Sequence, residues 1–211
     1  MKKMSFAQIA MHRSRGLLAG ALVATAAFGV SSAAVADEAL WGALEEGGKV
    51  VLLRHTESEE AEAEKSMHLA TDGDCSAEVQ LTGEGRAQAE ALGKVLKERG
   101  IEVSAVVSSE FCRARQTADG AFGEYERWDA LNLIAAMPEG ESEWLIEDVR
   151  DRMSEHSGEG NLFLVTHRPN INTMVFENVD AGSLVVMRPE GMGSVEVLGV
   201  IPVEDYYGSD R

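Results

Sequence analysis

Val50-Val51-Leu52-Leu53-Arg54-His55-Thr56 is a run of four apolar residues that ends abruptly in a cation, an imidazole and a hydroxyl. A continuous apolar run of this kind predicts a strand buried on both faces. Its carboxyl end then delivers Arg54 and His55 to the sheet edge where open α/β sheets place their sites. A second run, Leu162-Phe163-Leu164-Val165, leads into Thr166-His167. A third, Val103 to Val107, leads into Ser108-Ser109 and then Cys112-Arg113-Ala114-Arg115-Gln116-Thr117. Three predicted strand ends therefore present His, Arg and His.

Helical segments separate these strands. Thr82 can cap a helix near 82–99 with Gly100 just past its end, and further helices are predicted near 111–121 and 141–156. Residues 55 to 80 read as an acidic, irregular connection, and two late apolar runs, Leu184 to Met187 and Val195 to Val200, read as added strands after a short helical turn. Strands alternating with helices predict an α/β, three-layer sandwich, a mostly parallel central sheet with helices on both faces. No internal repeat or Pro- or Ser-rich linker divides the chain, so residues 37–211 are expected to form one domain.

The ordered set Leu53-Arg54-His55-Thr56, Leu81-Thr82-Gly83-Glu84-Gly85, Ser108-Ser109 through Arg113 to Thr117, and Val165-Thr166-His167 resembles the histidine phosphatase superfamily, the phosphoglycerate mutase-like and acid phosphatase-like enzymes. The resemblance implies that His55 is transiently phosphorylated and that Arg54, Arg113 and His167 surround the transferred group. It also implies a phosphoglycerate mutase-like form of the α/β sandwich. One departure bears on mechanism. Where many members carry a Leu-Asn-Glu tripeptide whose glutamate protonates the leaving group, this chain has Leu131-Asn132-Leu133. Asp129, Glu141 and Glu143 are the nearest acids in sequence.

Elementary chemistry agrees with that reading. Phosphoryl transfer has a loose transition state with charge spread over its equatorial oxygens, so positioning and electrostatic stabilisation do most of the catalysis. Guanidinium groups at Arg54 and Arg113 suit this role, because their planar forks make paired charge-assisted hydrogen bonds and stay charged. Neutral imidazole at His55 would attack phosphorus, while His167 is expected to be protonated and to donate to a phosphate oxygen. The cations should lower the pKa of His55. The chemistry calls for no metal and no cofactor. The expected activity is a metal-independent phosphatase hydrolysing phosphomonoesters; a catalytically weak phosphate-ligand binding module of the same fold is the alternative.

Lys2, Lys3, Arg13 and Arg15 precede an apolar stretch at residues 16–30 and the small residues Ala34-Val35-Ala36, the pattern of a signal peptide over residues 1–36. Export to the periplasm or outside the cell is therefore expected, with no stable membrane insertion after cleavage. Loss of that segment leaves 15 basic against 36 acidic groups and a formal charge of −21. Such a body repels nucleic acid and anionic membrane surfaces. Arginines at the strand ends can still make a local positive pocket while the exposed acids are screened, and the expected partner is a phosphorylated small molecule or an envelope phosphate group. Glu57, Glu59, Glu60, Glu62 and Glu64 read as a solvated acidic run. Cys75 and Cys112 permit one pairing, which an oxidising compartment would favour. A cysteine nucleophile at Cys112 is the weaker reading, since Cys112-Arg113-Ala114 leaves no room for a phosphate-cradling loop. His68 reads as an exposed loop residue, His156 as the end of a helix, and Asn170 as either a support for His167 or a helix cap.

Overall fold

Val51 and Leu53 face one side of the sheet and Val50 and Leu52 the other, and all four are fully buried, as the apolar run requires. They belong to β1 (Val50–Arg54), the centre of a six-stranded sheet in a computed structural model that describes residues 32–70, 73–138 and 140–208. The other strands are β2 (Val103–Ser108), β3 (Glu126–Arg127), β4 (Asn161–Thr166), β5 (Leu184–Gly191) and β6 (Ser194–Ile201), in the order β3-β2-β4-β1-β5-β6. Neighbours from β3 to β1 are parallel; β5 and β6 are antiparallel additions. The sheet is thus mixed, with its parallel part carrying all three predicted strand ends.

Helices cover both faces. On one lie α1 (Ser32–Glu46), α3 (Gly83–Glu98) and α4 (Cys112–Phe122), where Trp41, Leu44, Leu92, Leu96, Ala114 and Ala118 pack against Val51, Leu53, Phe163 and Val165. On the other lie α5 (Glu141–Ser154) and α6 (Arg168–Val175), whose Ile146, Val149, Met153, Ile171 and Met174 pack on Val50, Leu52 and Leu164. Among its described residues, the predicted irregular connection holds a short α-helix, α2 (Ala63–Met67), and a 3₁₀ turn at Cys75–Ala77. Helix α1 and the two-residue β3 have no counterpart in the sequence reading. Of the expected signal segment, residues 1–31 lie outside the described residues. Among those described, no helix is long and apolar enough to cross a membrane.

Two glycines are dictated by close approach near β1. Thr82 caps α3 by accepting from the Gly85 amide at 2.9 Å, as its position predicts. A Cβ on Gly85 would lie 1.9 Å from the Glu57 carbonyl oxygen, so only glycine lets α3 begin against the segment after His55. Gly182 has φ +82° and donates to the Arg54 carbonyl at 3.2 Å, while its own carbonyl accepts from the Tyr206 hydroxyl at 2.6 Å. A side chain there would meet that hydroxyl at 2.8 Å.

Cys75 and Cys112 are disulfide-bonded. The bond ties the connection after α2 to the first turn of α4, one residue before Arg113. With the two cysteines 37 residues apart in sequence, the chain-entropy model gives a stabilisation of about 4 kcal/mol. The buried Glu78 works beside it: one carboxylate oxygen accepts from the Ala70 amide at 3.1 Å and the other from the Cys112 amide at 2.8 Å.

Candidate active site

Arg54 and His55 leave the end of β1, His167 the end of β4, and Arg113 the first turn of α4 after β2. All four line one cavity of about 280 Å³, together with Ser58, Glu59, Ser66, Val79 and Leu133. The expected constellation is therefore brought together in space. A wider depression, about 770 Å³, lies elsewhere, beside β2 against Leu96, Phe122 and Tyr125, and none of the four residues lines it.

His55 is buried, and its ring stands 5.3 Å from that of His167. Its Nδ1 lies 2.9 Å from the Thr56 carbonyl, which accepts only, so the proton sits on Nδ1 and the lone pair on Nε2. That is the tautomer a nucleophile needs. Burial, then Arg113 and Arg54, lower the His55 pKa to about 3, with the Thr56 carbonyl opposing.

His167 is held by a chain of hydrogen bonds. Asn132 Oδ1 accepts from the Glu110 amide at 2.8 Å, and Asn132 Nδ2 donates to the Glu110 carboxylate at 2.9 Å, which fixes the amide's orientation. The Ser109 hydroxyl therefore donates to Asn132 Oδ1 at 3.0 Å. It must then accept from His167 Nε2 at 2.9 Å. The remaining nitrogen, His167 Nδ1, is buried and has no partner. Asn170 secures the arrangement from behind, donating to the Asn132 carbonyl at 2.7 Å rather than capping a helix. Burial, followed by His55, Arg113 and Arg54, lowers the His167 pKa well below its usual value. The protein's own charges thus favour neutral His167, not the protonated form expected from the sequence. A bound phosphate dianion, by adding opposite charge, moves the group back toward protonation.

The two arginines are fixed from the protein side. Arg54 donates from Nη1 to the Val179 carbonyl at 2.8 Å. Arg113 donates from Nη2 to the Ser66 carbonyl at 3.2 Å and stacks on Phe111 at 4.7 Å. Arg54 Nε and Arg113 Nη1 remain buried and unpartnered. Burial lowers the Arg113 pKa to about 10, Glu78 opposing and Arg54 adding to the shift. It lowers Arg54 too, with Arg168 adding and Asp180 opposing. Arg115 lies off the cavity and donates to the Gly73 carbonyl at 3.3 Å.

The acids do not fall where the sequence reading looks for them. Leu133 is an apolar wall of the cavity. Asp129 and Glu141 line a neighbouring cavity, and Glu143 lines neither. Glu59, read as part of a solvated run, is the carboxylate on the cavity's own lining, exposed and 3.8 Å from Lys65. His156 bonds the Gly160 carbonyl at 2.9 Å, a structural role, and His68 is exposed.

Burying two neutral imidazoles has a cost that acid reveals. Both titrate near 6.5 when unfolded, whereas folded His55 stays unprotonated down to about 3 and His167 is lowered in the same direction. In that window the unfolded chain binds more protons, so stability falls as pH falls. The melting temperature should therefore drop between pH 7 and pH 5, above the usual carboxylate range. His55→Asn and His167→Asn should each flatten the dependence; a slope unchanged in both would contradict neutral burial.

Residues 50–132 match the family model described as histidine phosphatase superfamily (branch 1). No curated protein matches the chain in sequence. Among solved structures, the protein histidine phosphatase SixA complexed with tungstate aligns with a TM-score of 0.55 at 16% identity, over 74% of this chain and 98% of that one. The alpha-ribazole phosphatase from Shigella flexneri aligns with a TM-score of 0.53 at 17% identity, over 71% and 94%. At such identities the likeness is one of fold. Residues 50–132 are thus similar in sequence to the histidine phosphatase superfamily, and most of the chain shares the fold of these two phosphatases.

Proposed function

We propose that the protein is an exported phosphatase that works through a phosphohistidine at His55 and needs no metal ion. The observation carrying this reading is that Arg54 Nε, Arg113 Nη1 and His167 Nδ1 are all buried without partners, on side chains lining the same cavity as His55. Unsatisfied buried polar groups are costly, and two guanidinium donors on one cavity, joined by His167 Nδ1 once a bound dianion has drawn a proton onto it, are best explained by a ligand rich in acceptor oxygens. A phosphoryl group is such a ligand, and guanidinium is the group best matched to it.

In the first step the His55 Nε2 lone pair forms a bond to phosphorus as the bond to the leaving oxygen breaks. The Thr56 carbonyl steadies the positive charge that develops on the ring. Arg54, Arg113 and His167 balance the equatorial oxygens. In the second step water adds to phosphorus, the N–P bond breaks, inorganic phosphate leaves and His55 regains its lone pair. With Leu133 in the cavity wall and Glu59 paired to Lys65, strong acid catalysis of leaving-group departure is not built in. Substrates whose leaving group is already stable as an anion are therefore favoured, since general acid catalysis contributes about 10² to 10⁴ in rate. Export rests on the amino-terminal pattern of residues 1–36, and the Cys75–Cys112 bond suits an oxidising compartment.

Purified residues 37–211 should hydrolyse an aryl phosphate at undiminished rate in EDTA. Phosphate binding with no turnover of any activated ester would favour the binding-module alternative; turnover that EDTA abolishes would refute metal independence.

A further inference from the structure

We infer that a second cavity, next to the phosphate pocket, is an apolar leaving-group subsite that selects phosphoryl donors with a ring-sized, uncharged or cationic group; the inference rests on the phosphatase reading above. This cavity has a volume of about 210 Å³ and is walled by Met67, Leu69, Phe111, Leu133, Met137 and Leu145. It joins the phosphate pocket through particular residues. Leu133 lines both, Met67 comes directly after Ser66, which lines the phosphate pocket, and Phe111 packs against both His167 and Arg113. A group attached to a phosphorus held by Arg113 and His167 therefore has an apolar space within reach on the Leu133 side.

The size and charge of the space set the substrate class. An apolar cavity of about 150 Å³ accommodates benzene, so this one has room for a substituted ring. Asp129 and Glu141 line it as exposed carboxylates, and they disfavour a second anionic group on the leaving portion while tolerating a cation. Ring alcohols of the phenol type also leave more readily than alkyl alcohols, which fits a site with Leu133 in its wall. Small, heavily hydroxylated groups such as sugars would leave this apolar surface wet and gain little from it.

Non-hydrolysable phosphonates test the subsite without turnover. Binding of benzylphosphonate and methylphosphonate to the purified protein is measured by calorimetry, each in competition with inorganic phosphate. Benzylphosphonate should bind about tenfold or more tightly than methylphosphonate, the effect expected for burying a ring in apolar surroundings. The ratio should fall toward one in Leu145→Gln and in Met67→Ser, the latter at a position 40% exposed where folding is not at stake. A ratio near one in the unaltered protein, with phosphate still displacing both ligands, overturns the subsite and leaves the phosphatase reading intact. So does a ratio that neither variant moves. Failure of inorganic phosphate and both phosphonates to bind overturns the phosphatase reading itself.

Discussion

His55→Ala should lower turnover of an aryl phosphate on the order of 10⁴-fold or more, because in the proposed mechanism it removes the atom that forms the new bond to phosphorus. Arg54, Arg113 and His167 remain in the variant, so affinity for inorganic phosphate should fall far less than turnover. Rapid acid-free quenching of the unaltered protein during turnover should trap phosphate on a histidine, labile to acid, and the variant should carry none. His55 suits this role for a reason visible in its surroundings. Its Nδ1 is committed to the Thr56 carbonyl at 2.9 Å, and burial with two nearby arginines keeps Nε2 unprotonated across the neutral range. Turnover that survived in His55→Ala, with label appearing elsewhere, would assign the nucleophile to another group.

The residues legible in the sequence are those whose position is set by local pattern. Arg54, His55 and His167 each end an apolar run, and the carboxyl end of a buried parallel strand can deliver its last residues to one sheet edge only. Arg113 is legible because it begins a helix directly after such a strand. The residues that local pattern does not reveal depend on pairings between distant segments. Asn132 fixes His167 through Ser109, yet 23 residues separate Ser109 from Asn132 and nothing periodic links them. Glu78 is buried at 1% exposure because the disulfide and two backbone amides hold it, whereas its neighbours in sequence suggest a solvated loop. Glu59 is hidden among identical exposed acids. Helix α1 does carry a signal, since Leu40, Trp41 and Leu44 recur at helical spacing, but they adjoin the small-residue end of the expected signal segment. Two-residue β3 lies below what any pattern can show.

Arg113→Ala should lower turnover by about 10² to 10³, the effect of deleting one preorganised donor to developing charge in a water-poor site, and Arg54→Ala should act similarly. Arg115→Ala should lower it by less than about tenfold, the residual change coming from a looser first turn of α4 and not from a lost contact to phosphate. The two helix arginines stand two positions apart in α4, so their side chains point in different directions. Arg113 stacks on Phe111 and lines the cavity; Arg115, whose own Nε is also buried without a partner, lies off the cavity and reaches back to the Gly73 carbonyl. Lysine offers a further distinction. Arg113→Lys keeps a charge but loses the planar fork, so it should recover only part of the rate. Affinity for a monoanionic oxyanion such as nitrate should recover more fully, because charge alone serves it. If Arg115→Ala proved as damaging as Arg113→Ala in a protein with the disulfide intact, the phosphoryl group would sit on the other side of α4, and the cavity lined by His55 would not be where transfer occurs.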